Sequence, residues 1–281
     1  MYRPAPGHPL FRARRVIGGL LSGGLAGLFA LFIAVPLVAL VLSVPLDTLA
    51  QAPSVPIVAD ALTLSLSTAT IATLLVILFG TPLAYLNARR DYPWRALVEA
   101  LTDLPIVLPP AVAGLSLLIA FGRHGLIGQY LEPLGITVAF TTVAVIMAQC
   151  FVAAPFYLRH ARTSFAEVDP VYEAAARTLG ASPLRVFVHV TAPLAAGGLV
   201  SGAIMSFARA LGEFGATIMF AGNLQGRTQT MPLAIYGEMQ SDIGSSVSLA
   251  LLLVAISFMV IGTVHVLGQR SRKSVPDGGD Q

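Results

Sequence analysis

The sequence predicts an all-α integral membrane protein of six transmembrane helices with both termini cytoplasmic. Three observations predict it. The 281 residues are 56% hydrophobic and only 11% charged, with a mean hydropathy of +0.79, a composition that makes the bilayer the solvent. Six apolar runs, at about 16–44, 61–87, 101–121, 138–158, 194–220 and 246–268, each approach or exceed the ~18 residues that a span needs. On that six-span arrangement fourteen Lys and Arg fall on one side: Arg3, Arg12, Arg14, Arg15, Arg89, Arg90, Arg95, Arg159, Arg162, Arg177, Arg185, Arg270, Arg272 and Lys273. Only Arg123 and Arg227 fall on the other, so the positive-inside rule places both ends in the cytoplasm.

The first run follows a cytoplasmic tail, 1–15, and is about twice as long as the apolar core of a cleaved signal, so it reads as a retained helix. Its Gly19-x-x-x-Gly23-x-x-x-Gly27 pattern offers a small-residue face for close packing, within this chain or against a second copy. The loop 47–60, with Pro45, Pro53 and Pro56 in and beside it, lies outside. The second span carries Thr63, Ser65, Ser67, Thr68, Thr70 and Thr73, hydroxyls that either line a polar path or bond back to the preceding backbone turn. The third opens with L-P-I-V-L-P-P, where Pro105, Pro109 and Pro110 free carbonyls at membrane depth. Lipid cannot satisfy those groups, so the break should face protein or a cavity.

After the fourth span comes a polar, helix-forming segment, 165–193. Asp169 suits an N-cap, Pro170 the first helical position and Gly180 the residue beyond the C-cap, which predicts a short helix over 170–179 and a second one from Ser182-Pro183. The fifth span, 194–220, contains Arg209 and Glu213, each costing roughly 2.5–3.5 kcal/mol at a helix centre unless paired or facing water. Their i, i+4 spacing allows a local ion pair, which is either purely architectural or stands beside an anion path. A tail, 269–281, closes the chain on the cytoplasmic side.

No catalytic site is expected. The chain's one lysine, Lys273, stands in no G-x-x-x-x-G-K-[ST] loop, so phosphate-binding ATPase chemistry is excluded. His8, His124, His160, His189 and His265 are scattered without zinc spacing, so no metal is expected. Lone Cys150 can close no intrachain disulfide. The basic residues are spread over loops and do not form a nucleic-acid-binding face. A gradient-driven anion transporter or channel remains as a reading, although Glu213 is the only acid well inside a span.

The segment E-A-A-A-R-T-L-G (Glu173–Gly180), followed by Val190 and Pro193, resembles the EAA loop of membrane subunits of ATP-binding-cassette importers. The pattern departs at the glutamate position, held by Ala174 with Glu173 one residue earlier, and at Ala192 in place of leucine. Phe79–Tyr85, Leu104–Leu115, Ala208–Asn223 and Gly226–Tyr236 sharpen the resemblance to the molybdate/tungstate permeases, with sulfate/thiosulfate permeases as close relatives. The resemblance implies a type I ABC importer permease fold in a bacterial or archaeal inner membrane, with two copies of the chain forming the pathway. It implies two cytoplasmic ATPase subunits that hold ATP and Mg, so this chain needs no cofactor, and a periplasmic or extracellular binding protein that delivers the anion. The residues it assigns to ATPase coupling are Glu173, Ala174, Ala175, Ala176, Arg177, Leu179 and Gly180. From the buried charge and the proline break, Arg209, Glu213, Thr217, Pro109 and Pro110 are candidates for the pathway or gate, and Arg227 and Gln229 are candidates for contact with the binding protein.

Overall fold

The computed structural model describes residues 9–43 and 56–273, with side chains over 22–43, 56–259 and at 262. The expected tail 1–15, the loop 47–60 and the tail 269–281 lie wholly or partly outside those residues. Two units emerge, 1–50 and 51–281. The first holds helix α1 (Pro9–Leu42), whose Ser22–Leu42 part has the length and apolarity of a span.

The second unit is a helical bundle. Its long members are α2 (Pro56–Arg89), α5 (Thr142–Glu167) and α7 (Pro183–Leu211), each long and apolar enough to cross a membrane. Helix α5 packs against both α2 and α7, and the seam is built from small buried residues: Ala69 and Ala72, Ala153 and Ala161, Gly202. Small residues let backbones approach closely where lipid supplies no hydrophobic drive between helices. At one end of the seam Tyr85, Phe165 and Phe187 form a ring cluster with centroids 5.1–5.9 Å apart.

The hydroxyls of α2 mostly serve its own backbone. Ser67, Thr68, Thr70 and Thr73 each donate to the carbonyl four residues earlier at 2.6–2.7 Å. Ser65 differs, because its buried hydroxyl accepts the Met231 N–H at 2.7 Å and ties α2 to helix α9 (Met231–Glu238).

Two of the expected spans are broken. The third, 101–121, is divided into α3 (Arg95–Val107) and α4 (Pro110–Phe121), bent by 118°. The cause is local. The helical region is disfavoured for a residue before proline, and here two such residues are adjacent: Leu108 before Pro109 has ψ 132° and Pro109 before Pro110 has ψ 134°. The fifth, 194–220, ends as a helix at Leu211 and restarts as α8 (Gly215–Ala221), so Glu213 lies in the break and not within a helix. Helix α10 (Ile243–Lys273) completes the described chain. Among the described residues, four helices have span length and apolarity, or five if the bent pair counts as one.

The two breaks meet. A Cβ on Gly114 of α4 would lie 2.5 Å from the Ala216 carbonyl oxygen and 2.7 Å from Met219 Cβ, both on α8. One on Gly215 would lie 2.5 Å from Pro110 Cβ. Glycine at both points is what allows α4 and α8 to cross in backbone contact.

Candidate functional site

Two constellations carry chemistry, one at the crossing of the breaks and one beside α6 (Pro170–Thr178). At the crossing, Glu213 is buried and its two oxygens are divided between two tasks. Oε1 accepts the Ala216 N–H at 2.6 Å, satisfying a free amide at the start of α8. Oε2 takes the Arg209 guanidinium at 2.7 Å, the i, i+4 pair that the spacing allowed. Burial is unequal, since the Glu213 side chain is 1% exposed and that of Arg209 28%. Arg209 opens on a cavity of about 110 Å³ walled by Pro105 of α3, by Leu108 and Pro110 at the proline break and by Val152 and Phe156 of α5. That volume has room for a few waters, and what it sees of the pair is the cation. A positive group in a site of low dielectric attracts anions more strongly than it would in water.

The structure therefore brings Arg209, Glu213 and Pro110 together. Pro109 is exposed and adjoins the cavity only through its neighbours, and Thr217 is fully buried on α8 with its hydroxyl unpartnered by protein, away from the cavity wall.

In the second constellation, Asp169 Oδ1 accepts the Val171 N–H at 2.9 Å and caps α6, and Gly180 turns the chain at φ +85°. Ala174, Ala175, Arg177, Leu179 and Gly180 are exposed and Ala176 is half-buried. Glu173 departs from them. It is buried, and its carboxylate receives Arg89 at 3.0 Å, Arg177 at 3.4 Å, and the hydroxyls of Thr191 at 2.9 Å and Tyr85 at 3.4 Å. Sequence reasoning counted Arg89 only as a loop charge and passed over Tyr85 and Thr191. The signal it had was an arginine two residues beyond the expected second span and an acid, Glu173, one residue ahead of the alanine run of the polar segment. A neighbouring pair of bridges, Arg159 to Asp103 at 2.9 Å and Arg162 to Glu99 at 2.8 Å, ties α3 to α5.

Of the two residues expected to meet a docked protein, Arg227 is exposed and Gln229 is buried. The reason is the turn between them: the N–H groups of Arg227, Thr228 and Gln229 converge on the Leu224 carbonyl at 2.8–3.1 Å, which tucks Gln229 inward.

Comparison with known proteins bears on both constellations. The binding-protein-dependent transport system inner membrane component family matches residues 76–273, a range that contains both. The chain belongs to that family. Within the family it is similar to the molybdenum transport system permease protein ModB of Mycobacterium tuberculosis, 44% identical over 82% of this chain and 87% of the relative. It is 41% identical to ModB of Escherichia coli over 72% and 89%, and 36% identical to the sulfate transport system permease protein CysT of Salmonella typhimurium over 94% and 97%. In fold it resembles a bacterial ABC transporter involved in import of the polysaccharide alginate, with a TM-score of 0.73 at 12% identity over 94% of this chain and 99% of that one. The MetNI methionine ABC transporter follows, with a TM-score of 0.57 at 19% identity over 76% and 96%. This family member is thus a multi-pass inner-membrane permease of the ABC importer kind.

Proposed function

We propose that the chain is the transmembrane permease subunit of an ATP-driven oxyanion importer for molybdate or tungstate, and that two copies form the pathway. The observation that carries this reading is the Arg209 guanidinium, held by a buried carboxylate and turned to the cavity at the proline break, in a chain 44% identical to a molybdenum permease. A pathway must pass a dianion without trapping it. Arg209 supplies attraction, and Glu213 at 2.7 Å limits its depth.

In this reading α6 docks on a cytoplasmic ATPase subunit. Its exposed Ala174 and Ala175 with Leu179 offer a small, apolar face suited to a groove, and ATP and Mg belong to that partner. A binding protein delivers the anion to the opposite side, where Arg227 is exposed. The topology is six spans with both termini cytoplasmic, supported by the fourteen-to-two distribution of Lys and Arg. The bent pair then serves as the third span, and α7, the break and α8 as the fifth.

The sulfate-permease match, which extends over 94% of this chain, favours sulfate or thiosulfate as the second reading. Reconstitution with the ATPase and binding protein, with ATP turnover measured against molybdate, tungstate and sulfate, separates the two. Stimulation by molybdate or tungstate at concentrations where sulfate is inert is expected. Preference for sulfate would move the chain to the second reading.

A further inference from the structure

One cluster of buried charge takes no part in the pathway, and it lies on the inward side of α6. Glu173 is 5% exposed, yet its carboxylate gathers donors from three helices. Oε1 holds Arg89 of α2 at 3.0 Å and Thr191 of α7 at 2.9 Å. Oε2 accepts from Tyr85 of α2 and Arg177 of α6 itself, each at 3.4 Å. Arg89 extends the net, because its Nη2 also donates at 2.8 Å to the carbonyl of Val168, where α5 ends. The aromatic rings of Tyr85, Phe165 and Phe187 stand beside the cluster. Thr191 closes the one π-helical turn in α7, Phe187–Thr191, at the point where the hydroxyl reaches the carboxylate.

The two sides of α6 thus differ in chemistry. Outward it presents Val171, Tyr172, Ala175 and Leu179, with Leu184 beyond the turn, and inward a single anion held by two arginines. We propose that Glu173 is a positioning residue: a latch that fixes α6 to the ends of α2, α5 and α7, so that displacement of α6 displaces the helices, while the apolar outer face makes the contact with the ATPase. The inference rests on the coupling role proposed for α6 and deepens it. An apolar contact supplies affinity, whereas a charge-assisted network has the directional stiffness to pass on a movement.

The test separates docking from transmission. The permease carrying Glu173→Gln, reconstituted with its ATPase and binding protein, should bind the ATPase with an affinity within about twofold of the parent, since no exposed group changes, and should lose about tenfold of its stimulated ATP turnover. Glu173→Asp should recover part of that loss. Arg89→Lys keeps the charge but replaces the planar guanidinium, whose Nη2 alone bonds both Glu173 and the Val168 carbonyl, by a shorter-reaching ammonium, and should show the same split in milder form. Hydrogen exchange on the permease alone, in detergent, gives a second reading: amides of 171–180 should exchange about tenfold faster in Glu173→Gln while those of α5 stay protected. A more than tenfold loss of ATPase binding, with normal turnover in the complex that forms, would make Glu173 a contact and overturn the latch. Unchanged exchange at 171–180 would overturn it as well. If the parent permease stimulates no ATPase with any anion, the proposed function fails, and the exchange measurement alone decides on the latch.

Discussion

Arg209→Gln should destabilise the folded permease more than Glu213→Gln, because the two ends of the pair are buried unequally. The Glu213 carboxylate, 1% exposed, has two charged or polar partners, Arg209 at 2.7 Å and the Ala216 N–H at 2.6 Å. Removing the guanidinium strands a buried anion with one amide, and breaking a buried pair from one side costs about 3–5 kcal/mol. Glu213→Gln leaves a side-chain carbonyl to receive the Ala216 amide, and the released guanidinium, 28% exposed, turns to the cavity. What is lost there is one charge-assisted hydrogen bond, about 1.5–3 kcal/mol. The double variant carries neither charge and keeps the cap, so it should regain most of the stability. Thermal denaturation in detergent ranks the three variants, and uptake per folded molecule in proteoliposomes reads the pathway. The expected pattern is a double variant that is stable but slow. Equal losses in the two singles, or a milder Arg209→Gln, would refute the burial argument. Normal uptake by the double would remove both residues from the path.

Gly114→Val should cost about 1–3 kcal/mol by overpacking and lower the melting temperature, since its Cβ meets the backbone of Ala216 at 2.5 Å and no flexible side chain can yield there; an unshifted melting curve would mean that α4 and α8 do not cross as described. Gly180→Val has open space around its Cβ and is strained only by φ +85°, roughly 1–2 kcal/mol, so it should leave the permease inserted while reducing ATPase stimulation, and normal stimulation would move the docking site elsewhere. Ser65→Ala should cost about 1–3 kcal/mol in thermal denaturation, because the buried Met231 amide loses its acceptor. Single cysteines at the exposed positions Ser182 and Gln225, in a background without Cys150, should react with an impermeant reagent from opposite sides of the membrane; labelling of both from outside would overturn the topology.

The features that were legible in the sequence are those set by local chemistry. Asp169, Pro170 and Gly180 delimit α6 because capping and a positive φ are properties of single residues. The back-bonded hydroxyls of α2 follow from helical spacing, and the Arg209–Glu213 pair from a separation of four residues, although the helix has ended at Leu211 before Glu213 is reached. What the one-dimensional pattern hid depends on where other helices lie. Three prolines announced a break in the third apolar run, but not a turn of 118°, which follows from two consecutive pre-proline residues adopting extended backbone. The end of α7 at Leu211 was masked because Gly212-Glu213-Phe214 sits inside an otherwise continuous apolar run. Glu173 was assigned to ATPase coupling with its exposed neighbours because its partners Arg89, Tyr85 and Thr191 are distant in sequence, and Gln229 to contact with the binding protein because the turn at Leu224 that draws it inward has no distinctive spacing.

The central claim, an ATP-driven oxyanion permease, is tested most directly by uptake of molybdate into proteoliposomes containing this chain, its ATPase and its binding protein. Uptake should require internal-facing ATP and the binding protein, and should persist when proton and sodium gradients are collapsed. Uptake that proceeds without ATP and stops when a gradient is collapsed would contradict the account and make the chain a gradient-driven transporter.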